Sequence, residues 1–339
     1  MESGWWCSLG VLRAIKRSGY KPYFPLAAVN WTNEEGARYS KMCMSSGVWC
    51  GQLSPDEILK LKDIDGKKVS SELEAIGYNG PIAPDHKVNK LSAHFELHIE
   101  QGPKLEEMLA HEGGSIGIGI VQGIQAMRWY QVEIEGQEGH AGALEMVRRH
   151  DALVAASRLV LDLDEAARAT QSVATVGRLI PKTIAPNTIV GKVDLIFDCR
   201  AIKESQLDSI IQKVESTIKS LSQDGGYHIE MRQIWAHKAV TFNEDCIAAV
   251  EEVLETRPDI PTLKMFSAAG HDSASTASVV PTTMIFVPSV GGISHNPAEF
   301  TTKDQCKAGA EVLLESVLGY DKKLKASMEA PGNQIEKGT

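Results

Sequence analysis

Apolar residues near the start of the chain recur at helical spacing: Leu9, Val11, Leu12 and Ile15 form one stripe, which Ser18-Gly19 closes. The unbroken apolar run that follows predicts a strand over Pro25 to Trp31. Ser54-Pro55-Asp56-Glu57 has the capping and first-turn residues of a helix, and Val69 to Ile76 predicts another. Ala93 to Ile99 predicts a strand that runs out at Glu100-Gln101-Gly102, before Pro103 opens a helix through Leu109. From Ile116 the texture changes to glycine-punctuated segments, G-I-G-I-V-Q-G-I-Q and R-W-Y-Q-V-E-I-E-G, which alternate with a period of two. A helix over His150 to Ala167, strands over Val173 to Leu179 and Asn187 to Arg200, a helix over Lys203 to Leu221 and a strand over Tyr227 to Trp235 complete a β-α-β-β-α-β order. Beyond Phe242 the first texture returns, with a helix over Cys246 to Glu255, a strand over Thr283 to Val287 and a helix over Lys303 to Leu318.

This order predicts an α/β protein in which one domain interrupts another. The first domain is expected in two parts, 1–122 and 238–322, the inserted domain over 123–237, and a flexible tail over 323–339, where Pro331 and Gly332 break any pattern. At 339 residues, 43% hydrophobic and 23% charged, the chain is long enough for two cores of ordinary globular make-up. Its formal charge of −9 is spread over alternating acids and bases, with no basic stripe to follow a phosphate backbone, so no nucleic-acid partner is expected. The apolar stretch Trp5 to Leu12 is too short to span a membrane and has its basic residues behind it, the reverse of a secretory signal. Cys7, Cys43, Cys50, Cys199, Cys246 and Cys306 are scattered without a C-x-x-C pair, which fits a reducing compartment. A cytoplasmic protein with no membrane partner is the expectation.

Acids and histidines gather where the predicted strands end. Glu34 and Glu35 in N-W-T-N-E-E-G follow the first strand, His98 stands in H-F-E-L-H-I-E-Q-G, and His295 in G-G-I-S-H-N-P-A-E follows M-I-F-V-P. Ligands of open α/β sheets bind outside the carboxyl ends of the strands, so Glu35, His98 and His295 are expected to converge despite their separation in sequence. Imidazole with carboxylate suits zinc, manganese or cobalt. Glu34, unbound beside a ligand, would stand ready to deprotonate a metal-held water. Each piece also has an ordinary reading. An adjacent glutamate pair is usually solvated surface, a lone histidine usually a satisfied core or surface residue, and Gly270-His271-Asp272 reads equally well as a helix start with Asp272 near its N-cap.

Taken in order, N-W-T-N-E-E-G-A-R-Y, F-E-L-H-I-E-Q-G-P-K-L-E, G-H-A-G followed by R-R-H-D-A-L, S-A-A-G-H-D-S, and M-I-F-V-P-S-V-G-G-I-S-H-N-P-A-E match a known set. They resemble the motifs of the amidase/hydantoinase/carbamoylase branch of the M20 metallopeptidase-like hydrolases, from about residue 8 to residue 318. That branch includes N-carbamoyl-L-amino-acid hydrolases, allantoate amidohydrolases and β-ureidopropionases. The resemblance implies a zinc-exopeptidase-like catalytic α/β domain interrupted by a dimerisation or lid domain, and hence a homodimer. It also implies two divalent metals per subunit sharing a bridging water, and hydrolysis of an amide or ureido C–N bond in a small acid. By motif it makes Glu34 the general base, Glu35 and His295 ligands of one metal, and His98 a ligand of the other. It makes His140 the lid histidine that reaches a neighbouring subunit's site to stabilise an oxyanion. Asn187, Arg200 and Gln101 would hold the substrate, the arginine because its planar fork pairs with a carboxylate, while His271, Asp272 and Glu299 would stand behind the ligands.

The departures from the family pattern bear on activity. After His140-Ala141-Gly142 the family continues T-T-P-M, whereas this chain has Ala143-Leu144-Glu145-Met146, and Val190 stands for the proline of an I-P-G turn. The family's H-x-D strand and F-D-G loop precede its first helix and supply a further histidine and a bridging aspartate, but the first histidine here is His86. On the residues present, one metal keeps Glu35 and His295 and the other keeps His98, against the three protein ligands usual for catalytic zinc. Weak binding of fewer than two metal equivalents is therefore expected. Two classes of function stay open: a ureido-acid hydrolase, or a dimerising, non-catalytic descendant that binds a small ligand or a partner.

Overall fold

The computed structural model describes residues 2–183, 185–223 and 225–329. The chain divides into two compact units, Met1–Ile124 with Thr241–Thr339, and Gln125–Val240. The first stretch carries α1 (Glu2–Ser18), α2 (Met44–Trp49), α3 (Pro55–Ile58), α4 (Val69–Ala75), β1 (His94–Ile99), α5 (Lys104–Glu112) and β2 (Ile118–Ile124). The inserted stretch carries β3 (Ala126–Glu135), β4 (Gly139–His140), α6 (Ala152–Ala169), β5 (Val173–Lys182), β6 (Thr188–Ile189), β7 (Lys192–Ala201), α7 (Glu204–Gln223) and β8 (His228–His237). The chain then returns through β9 (Val240–Thr241), α8 (Glu244–Glu255), β10 (Thr262–Ser267), α9 (Asp272–Thr276), β11 (Thr282–Val287) and α10 (Lys303–Glu329).

In the larger unit the sheet runs β1-β11-β2-β10, with β9 against β2. β1 is parallel to β11 and β10 to β2, while β11 and β2 are antiparallel. Every residue of β11, T-T-M-I-F-V, is buried, as a strand covered on both faces requires. β1 lies at one edge and divides its residues by parity. Phe95 meets the Tyr320 ring of α10 at 5.5 Å, and Leu97 packs where a Cβ on Gly309 would come within 2.9 Å of its Cδ1. His94, Glu96 and His98 face the other way, toward Ser273 and Thr276 of α9 and toward His271. One strand thus gives an apolar face to α10 and a polar face to the candidate site. α1 closes in on the outer edge of β1, where a Cβ on Gly4 would sit 2.3 Å from the Leu97 carbonyl oxygen, so only glycine allows this approach.

Three expectations need correction here. The apolar run Pro25 to Trp31 makes no ladder, because a strand needs a partner edge and α1 stands against that of β1. Its side chains instead line a cavity of about 380 Å³ with α1, β1 and α10, and Glu34, Glu96 and His98 reach the same cavity. β10 is missing from the sequence reading, since T-L-K-M-F-S is six residues long with Lys264 in its middle. The tail expected from 323 is helical through Glu329. Asp321 is buried and accepts the Tyr23 and Phe24 amides at 2.9 Å each, and the Lys325 ammonium lies 3.9 Å from the Tyr23 ring centre, so this end of α10 is packed down. Residues 330–339 of that expected tail lie outside the described residues.

In the inserted unit the order is β5-β7-β3-β8, antiparallel throughout. β7 alternates strictly, and its buried set, Val193, Leu195, Phe197, Cys199 and Ala201, shares one core with Leu159 and Leu163 of α6 and Leu207 and Ile210 of α7. The strand predicted over Asn187 to Arg200 breaks at Val190-Gly191, where a Cβ on Gly191 would fall 2.3 Å from Glu138 Cγ. The piece before the break, β6, pairs with β4. No helix among the described residues is long and apolar enough to cross a membrane.

Candidate metal centre and active site

Two left-handed residues explain how adjacent glutamates come to different places. Asn33 (φ 58°) and Gly36 (φ 71°) flank Glu34 and Glu35, positions for which asparagine and glycine are the least strained choices. The Asn33 amide donates to Tyr39 O at 3.0 Å and Lys41 O at 2.9 Å, while its Oδ1 accepts from the Arg38 and Tyr39 amides at 3.2 Å each. The loop so closed turns Glu34 inward, where it is 4% exposed.

Glu34, Glu96, His98 and His271 each offer a donor atom, and these atoms all lie within 4.8 Å of one another. His98 and His271 meet edge to face at 4.5 Å between ring centres. The Ser273 amide and hydroxyl donate to Glu96 Oε2 at 2.9 and 2.6 Å. Behind this set the Ser46 hydroxyl donates to Asp272 Oδ1. His271 sits at the N-cap of α9 without capping it, and Asp272 is the first helical residue. Burial raises the Glu34 carboxyl to about 7, and it raises Glu96 and Asp272 while lowering His98 and His271. Glu34 Oε2, His98 Nε2 and His271 Nδ1 are buried with no hydrogen-bond partner. An unpaired buried carboxylate oxygen and bare imidazole nitrogens are costly to assemble, and a divalent cation held beside them would offset that cost. The residues therefore fit the metal that the motifs imply.

A second group lies where β1 and β11 run out. His295 Nε2 is 3.0 Å from Glu35 Oε2, and the Gln101 amide reaches Glu35 Oε1 at 3.2 Å and His295 Nε2 at 3.3 Å. Burial, and then the Glu34 charge, raise the Glu35 carboxyl. The loops that carry Gln101 and His295 touch through backbone, since a Cβ on Gly292 (φ 62°) would be 3.0 Å from Pro103 N. Glu299 Oε2 accepts the His295 amide at 3.2 Å, which steadies that loop. Glu35, His98 and His295 thus fall into two neighbouring groups: Glu35 and His295 pair, while His98 joins Glu34.

Glu100 of the same motif has another task. Its carboxylate accepts the Lys104 and Leu105 amides at 2.9 and 2.8 Å, satisfying the free N–H groups at the start of α5. Glu100→Ala is expected to destabilise the fold by about 1–3 kcal/mol, read as a lower urea midpoint at unchanged slope.

In the inserted unit, β4 and β6 set His140 opposite Thr188, and the Ala141 amide donates to Asn187 O at 2.8 Å, so His140 and Asn187 are neighbours. The Gly142 amide donates to His140 Nδ1 at 3.1 Å, which leaves the exposed ring's Nε2 as the N–H donor. Arg149 holds the loop by donating to Ala141 O and Leu144 O. Arg200 is engaged by Asp198, with its Nη2 2.6 Å from Oδ2.

Glu96 is a functional candidate that sequence reasoning passed over, and His271 was given only a supporting place. The signal for Glu96 was the spacing H-x-E-x-H, which on a strand puts His94, Glu96 and His98 on one face.

The chain is similar to known proteins over most of its length. The model described as peptidase family M20/M25/M40 matches residues 1–318. The chain is similar to an N-carbamoyl-L-amino-acid amidohydrolase of Rhizobium meliloti, 33% identical over 314 residues, covering 91% of this chain and 73% of that protein. It is 32% identical over 294 residues to the allantoate amidohydrolase of Escherichia coli, covering 86% and 70%. Among solved structures, an amidase of the hydantoinase/carbamoylase family from Burkholderia multivorans superposes with a TM-score of 0.86 at 38% identity, over 93% of this chain and 75% of that one.

Proposed function

This chain belongs to peptidase family M20/M25/M40, and from that membership we propose that it hydrolyses a linear amide or ureido C–N bond in a small N-carbamoyl amino acid or related ureido acid. The observation that carries this reading is the buried set of donors around Glu34, with three polar atoms left without a protein partner. The amidohydrolase names of the relatives support it, and nothing in them favours a non-catalytic binding protein.

Glu35 with His295, and His98 on the other side, would hold divalent cations such as zinc, manganese or cobalt. A cation so held supplies Lewis acidity toward the carbonyl and toward water. Glu34 takes a proton from water as the water oxygen adds to the carbonyl carbon, and returns it to the departing nitrogen as the C–N bond breaks. Glu34 Oε2, buried and without a protein partner, is free to do both. His140 Nε2–H donates to the developing oxyanion, and the family pattern has it do so in the site of a second copy of the chain. Asn187, Arg200 and Gln101 orient the substrate, Arg200 exchanging part of its pairing with Asp198 for the substrate carboxylate.

The test is a hydrolysis screen of ureidopropionate, N-carbamoyl-L-amino acids, allantoate and simple amides, with manganese, zinc or cobalt added. A metal-dependent release of ammonia from one of the ureido acids is expected. Release from dipeptides alone would contradict the assignment.

A further inference from the structure

We propose that Cys7 of α1 and Cys306 of α10 form a reversible disulfide, which ties the two helices together when a peroxide reaches them. The inference stands apart from the hydrolytic reading, since neither residue belongs to the donor sets around Glu34 and Glu35.

The two residues are 299 positions apart in sequence, and the fold brings them together: α1 packs along α10, and the Cys7 thiol donates to Cys306 O at 3.5 Å. The thiols are also partners of each other, which pushes that of Cys7 up and brings that of Cys306 down to about 7. Cys306 lies in the first turn of the 27-residue α10, where the free N–H groups of a helix start favour a thiolate. Gln305 Oε1 accepts the Thr302 amide at 3.0 Å and Thr302 Oγ1 accepts the Gln305 amide at 3.3 Å, so that start is fixed in place. Both cysteines are only partly buried, and a small oxidant can reach them. The others differ, since Cys50, Cys199 and Cys246 are buried and burial pushes each of their thiols up to about 12, while burial also raises that of Cys43.

The step balances with hydrogen peroxide as the oxidant. The Cys306 thiolate attacks one peroxide oxygen, an S–O bond forms as the O–O bond breaks, and the departing hydroxide takes the proton that Cys306 gave up. The Cys7 thiolate then attacks the Cys306 sulfur: the S–S bond forms, the S–O bond breaks, and the second hydroxide takes the Cys7 proton. Two thiols and one peroxide thus give a disulfide and two waters, and a dithiol reductant reverses the bond by exchange. α1 meets β1 at Gly4 against the Leu97 carbonyl, and α10 meets it at Gly309 against the Leu97 side chain. The bond therefore clamps the two helices that hold β1 at its edge and on its apolar face.

The test treats the wild-type protein with hydrogen peroxide, caps its remaining thiols with N-ethylmaleimide under denaturing conditions and reads the tryptic peptides by mass spectrometry. The expected product joins Met1–Arg13 to Asp304–Lys307 with the loss of two hydrogens, while Cys43, Cys50, Cys199 and Cys246 carry the cap. Thermal unfolding of the oxidised protein should move up by about 5–10 °C and return with dithiothreitol, because the bond closes a loop of nearly the whole chain. Cys7→Ser should show neither the joined peptide nor the shift, and dimedone should then trap a sulfenic acid on Cys306. The wild-type peptides decide by themselves should the variant fail to fold. Cys7 and Cys306 both capped after peroxide, as expected of thiols that meet only to fill space, overturns the proposal, and so does either one joined to another cysteine or to a second copy of the chain.

Discussion

Glu34→Gln is expected to lower turnover of a ureido acid by about a hundred- to ten-thousandfold, the usual contribution of a positioned general base. The change keeps the size of the side chain and an oxygen toward His271, 3.7 Å from Glu34 Oε1, but removes the capacity to carry a proton. Little packing should be lost, because Glu34 Oε2 has no hydrogen-bond partner to lose. Glu35→Ala is different in kind, since Glu35 pairs with His295 and Gln101, and it should lower metal content as well as rate. Steady-state kinetics alongside metal analysis of both variants separates the roles. Equal loss of metal in both would contradict the division between base and ligand.

His140→Ala should cost about a hundredfold or more in turnover at unchanged metal content, as expected for an oxyanion donor. The loop is built to present the ring: Gly142 fixes its tautomer and Arg149 ties down the backbone on which it stands. The ordinary alternative is a histidine that only closes the turn between β4 and the following loop. Mixing inactive His140→Ala and Glu34→Gln chains distinguishes them. Random exchange in a symmetric dimer gives about a quarter of the sites both intact residues, one from each chain, so up to that share of activity should return. No recovery after verified exchange would place His140 in its own chain's site or in none.

Much of this was legible in the residues, and the limits have physical causes. The turn in N-W-T-N-E-E-G is encoded locally, by an asparagine that can take positive φ and bond four backbone groups around it. The alternation in β7 and the stripes of α6 and α7 are likewise local, and they fix the inserted sheet and its helical cover. Pro25 to Trp31 misleads because hydrophobicity predicts burial, while strand formation depends on an edge that α1 already approaches. Glu96 and His271 were underread because their significance lies in which face of β1 meets the start of α9, and their sequence separation hides that meeting. Ser273 and Ser267, which aim the two groups, are unremarkable as sequence and acquire meaning through the Ser273 amide and hydroxyl bonds to Glu96 and the Ser267 hydroxyl bond to His271.

The most direct test of the central claim follows an N-carbamoyl-L-amino acid with the metal-loaded protein, the chelator-stripped protein and metal-loaded Glu34→Gln side by side, measuring the free amino acid released. Release by the first, at most a trace from the other two, and recovery of the second on adding back manganese, zinc or cobalt are the predicted results. Release that survives both metal removal and Glu34→Gln would contradict the account.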